Sequence, residues 1–349
     1  LEAECGTVAG TQPDTNRLCE LTMCIRFRTF CILVVVGLAS FPFDQATAQS
    51  YPTRQITIVI PFPAGGNLEI VARPLADRLS SSLGQSVIIE NRPGGAGGTV
   101  GTRAVANAKP DGYTLLLTPF APLVTAPAIY KNLGYDPSKD FVPVATLFSV
   151  PHMLVVHPLL PVDSMEQLVS YAKANSGKVS YASPGFGTQP HLLGELFRRT
   201  TGANIVHVPY KGAPPAVTDL LAGQVQMYFD SIALFLPHIQ AGKLRALAVA
   251  DGNRSDLLPG VPTTAESGFP ELQGAFWACV AAPAGTPEDI VGRLNQLINR
   301  VLQSPDIEAS LAKYGAKQRS GSPEDLTSLW NGETEKWAKV INAAGIKAE

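Results

Sequence analysis

Apolar residues along this chain follow two rhythms. Short runs rich in Ile, Val and Leu alternate with longer stretches in which apolar positions recur at helical spacing. Residues 55–62 (QITIVIPF) read as a strand. Residues 67–83 read as a helix, with Ile70, Val71, Leu75, Leu79 and Leu83 on one face, Asn67 as N-cap and Gly84 as the stop. Pro74 falls inside that segment and predicts a kink or a shortened helix. Residues 86–91 (SVIIEN) and 113–118 (YTLLLT) read as the next two strands. Between them lie a glycine-dense stretch at 93–101, a short helix through Val100, Ala104 and Val105, and a turn at Lys109-Pro110-Asp111-Gly112.

A second series follows. Strands are expected at 153–157, 179–183, 205–210, 225–229, 244–250 and 276–282, with helices at 164–175, capped by Ser164, and at 188–200. Beyond these the pattern turns helical at 287–302, 305–314 and 323–342, each with Pro at or near its first turn. Strand–helix alternation of this kind predicts an α/β fold with largely parallel sheets. The apolar strands at 153–157 and 276–282 bracket the middle block. They are the expected crossing points between one domain built from 51–152 and 278–349 and another built from 153–277.

The N-terminal stretch breaks this pattern. From Met23, Arg26 and Arg28 precede an apolar run at 30–43, and Ala46-Thr47-Ala48 supplies a small-x-small site. Residues 23–48 therefore read as a signal peptide cleaved after Ala48, which sends the protein to the periplasm. The apolar run is short for a membrane span, which needs about 20 residues, although an uncleaved anchor is the alternative. Residues 1–22 show no hydrophobic periodicity and read as leader sequence outside the fold. Four of the five cysteines (Cys5, Cys19, Cys24 and Cys31) lie in this region, leaving Cys279 alone in the globular part. An exported chain with one cysteine forms no internal disulfide, so its stability must come from its core.

Charge and motifs narrow the chemistry. The 27 Lys+Arg against 29 Asp+Glu leave no basic footprint for nucleic acid. No nucleophile elbow, phosphate loop or zinc-binding His pair occurs. The five histidines (His152, His157, His191, His207 and His238) lack metal-ligand spacing, so no metal site is expected. Gly95-x-Gly97-x-x-x-Gly101 follows the second strand rather than the first, and no acidic residue ends the next strand, so no dinucleotide cofactor is expected either.

Three strand-to-helix junctions are rich in small residues: Pro61-Phe62-Pro63-Ala64-Gly65-Gly66-Asn67, Thr118-Pro119-Phe120-Ala121, and Ser183-Pro184-Gly185-Phe186-Gly187-Thr188. In open α/β sheets ligands bind beyond the carboxyl ends of strands. Glycine there brings backbone N–H groups close to an anion, and a helix N-terminus adds partial positive charge. Ser183 and Thr188 carry hydroxyls suited to the same oxygens. The alternative is that these glycines only make tight turns.

With these junctions, several further motifs give the chain a specific resemblance. They are Glu90-Asn91-Arg92-Pro93-Gly94-Gly95, Pro110-Asp111-Gly112-Tyr113-Thr114-Leu115, Val208-Pro209-Tyr210-Lys211-Gly212, Ala241-Gly242-Lys243-Leu244-Arg245-Ala246, and Ala282-Pro283-Ala284-Gly285-Thr286-Pro287. From about Tyr51 to its end the sequence resembles the Bug-type (tripartite tricarboxylate transporter family) periplasmic solute-binding receptors. The resemblance implies a two-lobed Venus-flytrap fold, with two α/β domains joined by two crossing strands. It also implies a non-enzymatic role: capture of a small organic carboxylate between the lobes and delivery to membrane transporter subunits.

By position, one jaw would contain Phe62, Ala64, Gly65, Gly66, Asn67, Glu69, Thr118, Pro119 and Phe120. The other would contain Ser183, Gly185, Phe186, Gly187, Thr188 and Asp230, the last at the end of the 225–229 strand. Glu69 stands where relatives usually carry Asp, and Pro119-Phe120 where they often place small polar residues. Two other roles stay open. One is a ligand-sensing subunit of a signalling system, and the other a hydrolase using Ser183, His191 and Asp230. No Lys or Arg lies in the three junctions, while Phe62, Pro119, Phe120 and Phe186 add apolar surface. That balance favours an aromatic or medium-chain mono- or dicarboxylate over citrate. If Phe120 and Phe186 point into the core instead, the cleft is polar.

Overall fold

In the computed structural model, Ile56, Ile58 and Ile60 of β1 (Ile56–Ile60) face one side of a sheet and Val59 the other, and all four are buried. A strand covered on both faces carries a continuous apolar run rather than an alternating one. The structure describes Gly10 and residues 51–64 and 68–347. The expected signal peptide at 23–48, the leader at 1–22 apart from Gly10, and Gly65, Gly66 and Asn67 lie outside the described residues.

Helix α1 (Glu69–Leu83) runs through Pro74 without interruption and ends at Gly84, whose φ of 65° places it in the left-handed region and whose N–H donates to Ser80 O. After it come β2 (Val87–Asn91), α2 (Thr99–Ala106) and β3 (Thr114–Pro119). Two four-residue helices, α3 (Ala121–Val124) and α4 (Ala126–Ile129), meet at Thr125, and α5 (Pro137–Asp140) is a third short turn. The chain then enters β4 (Phe141–Val156), a strand of 16 residues.

Beyond β4 come α6 (Met165–Ala174), β5 (Ser180–Ser183), α7 (Gln189–Thr201), β6 (Val206–Pro209) and α8 (Ala213–Leu221). They are followed by β7 (Met227–Ser231), α9 (Ile232–Gln240), β8 (Arg245–Val249) and β9 (Ala275–Pro283). Helices α10 (Glu288–Leu302), α11 (Pro305–Ala312) and α12 (Pro323–Ala344) close the chain, with β10 (Lys317–Gln318) between the last two. A reciprocal capping box between Ser322 and Asp325 fixes the start of α12.

The strands form one sheet in the order β2-β1-β3-β9-β4-β7-β5-β6, with β8 and β10 also on β4. The outer pairs β1/β2, β1/β3, β5/β6 and β5/β7 are parallel, as the strand–helix alternation predicts. Every antiparallel pair among the described residues contains β4 or β9. β4 also changes partners along its length. Phe141 to Pro151 pair with β9, whereas His152 to Val156 pair with β7. The strand thus belongs to two half-sheets, and the exchange falls at Pro151, a residue with no N–H to donate.

The sequence pattern starts this strand only at residue 153. The structure corrects that. Register shifts between Pro143 and Ala145, and again between Thr146 and Phe148, take up the irregularity and leave the strand intact.

Both faces of the sheet carry core. One face packs Ile58, Leu117, Val280, Val155 and Tyr228 beneath α1 and α10. The other packs Val59, Leu116, Cys279, Leu154 and Phe229 beneath α7 and α12. Residues 51–349 group as one compact unit. Trp337 of α12 is fully buried and donates its indole N–H to Glu333 Oε2 at 2.8 Å. No helix of the described residues is long and apolar enough to cross a membrane.

Candidate functional site

The loop after β5 is held in shape by its own side chains. Ser183, the last residue of β5, is fully buried, and its Oγ lies 2.6 Å from His207 Nε2. The same hydroxyl accepts from Gly185 N–H at 3.2 Å and lies 3.1 Å from Gly185 O. Thr188 Oγ1 donates to Gly185 O at 2.7 Å. Both hydroxyls expected to face a ligand therefore have partners inside the loop. Gly185 at φ +138° and Gly187 at φ +72° adopt backbone that L side chains resist. At Gly187 an added Cβ would also displace the terminal methyl of Ile129.

Three rings stack beneath this loop. Parallel pairing of β5 with β6 places Tyr181 beside His207, with ring centroids 4.8 Å apart. His191, in the first turn of α7, lies on His207 at 4.0 Å with an interplanar angle of 11°. Phe186 stands edge-on to both imidazoles at 5.3 and 5.2 Å, and its side chain is the exposed one of the group, at 60%.

Burial lowers both imidazole pKa values, His191 to about 4 and His207 to about 3, with neighbouring His191 adding to the second shift. The rings are neutral at pH 7. Neutrality is also what the hydrogen bonding requires, since Gly187 N–H donates to His191 Nδ1 at 3.1 Å. Below the stack, Tyr181 donates to Glu195 Oε1 at 2.8 Å, and Arg198 holds Glu195 Oε2 at 2.7 Å.

A second polar group lies where β4 changes partners. His152 Nε2 is 2.7 Å from Gln189 Oε1, which only accepts, so Nε2 carries the proton and Nδ1 presents its lone pair. That lone pair faces Asp230 Oδ1 at 3.9 Å, and Ser231 N–H donates to the same oxygen at 2.7 Å. Burial lowers the His152 pKa and raises that of Asp230, disfavouring charge on either. Among the described residues, His152 Nδ1 and Gln189 Nε2 have no hydrogen-bond partner.

On the other side, Phe62 is half-buried and its carbonyl accepts from Asn91 Nδ2 at 3.0 Å; Ala64 is exposed. Glu69 opens α1. Its Oε2 pairs with Arg73 Nε at 3.2 Å, and its Oε1 is buried without a partner among the described residues. Thr118 is fully buried and donates to Pro119 O at 3.1 Å. Pro119 pairs with Ala278 of β9. Phe120 is 3% exposed and packs on Trp277 with centroids 6.1 Å apart. Of the two orientations open from sequence, the core one holds for Phe120 and not for Phe186.

The Ser183, His191 and Asp230 set does not assemble as a relay. Ser183 meets His207, His191 Nδ1 takes Gly187 N–H, and Asp230 faces His152. No cluster of three or more His, Cys, Asp or Glu suited to a metal ion occurs among the described residues. Sequence reasoning left out His207, His152, Gln189 and Thr125. The parallel register that pairs Tyr181 with His207 is the signal for the first; the other three have none at short range.

Comparison with known proteins agrees with this architecture. Residues 71–346 match the family described as tripartite tricarboxylate transporter family receptor. Protein BugT of Bordetella pertussis is 42% identical over 302 residues, covering 86% of this chain and 92% of BugT. Among solved structures, R. palustris Rpa4515 with adipate is 39% identical with a TM-score of 0.76, covering 85% of this chain and all of the other. MatC of Rhodopseudomonas palustris, with bound malate, is 34% identical with a TM-score of 0.72, covering 83% and 100%. The chain therefore belongs to the tripartite tricarboxylate transporter receptor family, the periplasmic solute-binding receptors of Bug type.

Proposed function

We propose that this protein is an extracytoplasmic receptor that captures a small organic carboxylate and delivers it to the membrane subunits of a tripartite transporter, without chemical conversion of the solute. The observation that carries this reading is the loop after β5, a glycine turn fixed by its own hydrogen bonds at the N-terminus of α7, with neutral imidazoles beneath it and no cation within it. The positive end of a helix dipole, without a cationic side chain, suits one carboxylate at a time. In this reading the two half-sheets sharing β4 act as lobes, divided near residues 153 and 277. The junctions after β1 and β3 face the loop after β5, and closure follows from contacts that favour the closed state.

The preferred solute is a medium-chain or aromatic mono- or dicarboxylate. Two features support it: the exposed ring of Phe186, and the lack of Lys or Arg in the junctions, which disfavours a tricarboxylate. The adipate in Rpa4515 and the malate in MatC bracket the size range. A thermal-shift panel of adipate, benzoate, malate and citrate tests this. A compound at about 100 times its Kd stabilises by roughly 2.7 kcal/mol. A shift with adipate or benzoate is expected, and one with citrate alone would overturn the preference. Export is tested separately, since periplasmic material should begin at Gln49.

A further inference from the structure

One hydrogen bond joins the two sides of the sheet at the proposed cleft. Thr125, at the junction of α3 and α4 after β3, donates its hydroxyl to the carbonyl of Gly187, in the loop after β5, at 3.1 Å. Thr125 is 2% exposed. The two residues lie 62 positions apart and belong to opposite half-sheets. Gly187 is held at its other end too, where its N–H donates to His191 Nδ1. A Cβ at that position would meet the terminal methyl of Ile129 in α4, which would have to move. A polar contact and a steric fit thus bring the same peptide against the same helix pair.

Thr125 also has a second acceptor. Ala121 O, one turn earlier, lies 3.3 Å from the same hydroxyl. A hydroxyl has one proton, so it serves one acceptor fully at a time. When the half-sheets separate, the proton turns to Ala121 O and no buried donor is left unpaired. When they meet, it turns to Gly187 O. Because the hydroxyl is satisfied in both states, the exchange adds only a small bias towards closure.

We propose that Thr125 is a positioning residue for closure, a two-position latch that engages Gly187 O in the closed receptor and Ala121 O in the open one. This rests on the reading of the two half-sheets as lobes that close on a carboxylate. The latch touches no solute. It lengthens the closed state modestly, and Gly187 is glycine first because of its φ of +72°, with contact against Ile129 adding to that.

The test uses adipate with Thr125→Val, which keeps the branched shape and removes the hydroxyl, and Thr125→Ser, which restores it. In Thr125→Val, Kd for adipate should rise about three- to tenfold, carried mainly by a faster dissociation rate. The melting curve should keep its cooperativity, and Thr125→Ser should return both values towards wild type. Gly187→Ala should lose more affinity, and adding Ile129→Ala should recover part of it by clearing the collision.

Small-angle scattering supplies the arm that needs no solute. Ligand-free Thr125→Val should have a radius of gyration at least as large as wild type, and Thr125→Ser a value at or below that of Thr125→Val. Wild-type Kd and dissociation rate in a folded Thr125→Val would overturn the latch while leaving the receptor reading intact. If wild type binds no acid of the panel, the receptor reading is what fails. The latch then stands or falls on scattering, and a Thr125→Val protein more compact than wild type overturns it.

Discussion

The junctions after β3 and β5 look alike in sequence and end differently. Each leaves the carboxyl end of a strand, passes through a proline and a phenylalanine, and enters a helix. After β3, the neighbouring strand is antiparallel β9, which continues past Pro119 from Ala278 back to Ala275. That overhang carries Trp277, and Phe120 folds against it. After β5, the neighbour is parallel β6, which ends at Pro209 opposite Ser183. Tyr210 and Gly212, just beyond β6, tie only Ser183 O and Pro184 O at the start of the loop. Phe186 stays outside, and the rest of the loop is held through Ser183, Thr188, His191 and Thr125. The presence of Trp277 on the antiparallel neighbour is what makes Phe120 core, whereas Phe186 meets only the edges of two imidazoles and stays exposed.

The strongest way to break this comparison is to remove the rings. Phe120→Ala or Trp277→Ala should destabilise the protein by about 3–5 kcal/mol, as expected for deleting a large buried aromatic. Phe186→Ala should stay within about 0.5 kcal/mol in stability and show its effect in solute affinity. Urea unfolding checks the first and calorimetric titration the second. Equal stability losses for Phe120→Ala and Phe186→Ala would erase the distinction.

The next effect is on pH dependence. His191 and His207 titrate at about 4 and about 3 when folded, against 6.5 for an unperturbed ring. Between those values the unfolded chain binds protons that the folded rings refuse. Stability is therefore full above pH 6.5 and falls as the solution is acidified towards 4. The slope is about 1.4 kcal/mol per pH unit for each ring still neutral in the fold. His191→Asn, which keeps an acceptor for Gly187 N–H, should flatten the slope by one ring's share. Denaturation midpoints at pH 7, 5.5 and 4.5 measure it, and an unchanged slope would contradict the buried neutral stack.

Smaller effects sharpen the picture. Ser183→Ala leaves Gly185 N–H and His207 Nε2 short of a partner and should cost about 1–3 kcal/mol. Thr188→Ala removes one neutral hydrogen bond and should cost about 1 kcal/mol. Crystal structures of the two variants would show whether the glycine turn shifts, as the self-tied loop requires. Smallest of all, Arg73→Ala at the exposed end of the Glu69 pair should change stability by less than about 0.5 kcal/mol.

The parallel outer strands were legible because period and apolar run length are local properties, and QITIVIPF and YTLLLT need no partner to be recognised. β4 was only half legible. Pro143 and Pro151 signal interruption locally, whereas the register shift after the first and the change of partner after the second depend on β9 and β7, which come much later in the chain. The candidate loops were legible as junctions, because small residues after a strand mark where backbone can approach an anion. Their chemistry was not. The burial of Phe120 depends on Trp277, the role of Ser183 on His207, and that of Gly187 on Thr125. Each partner comes from an element whose direction the sequence pattern leaves open.

The stack of Tyr181, His207 and His191 also carries a signal of its own. Two flat rings 4.0 Å apart place each imidazole within the other's ring current. Their carbon-bound protons should therefore resonate upfield of those of histidines outside such a stack, such as His238. With five histidines in the whole chain, histidine-selective labelling separates these lines from those of the 14 Phe, 9 Tyr and 3 Trp. Gly187 is tied to His191 on one side and to Thr125 on the other, so a shift of the loop should alter the overlap of the rings and move those lines. The loop after β5 thus has a built-in spectroscopic gauge, readable through its histidines alone.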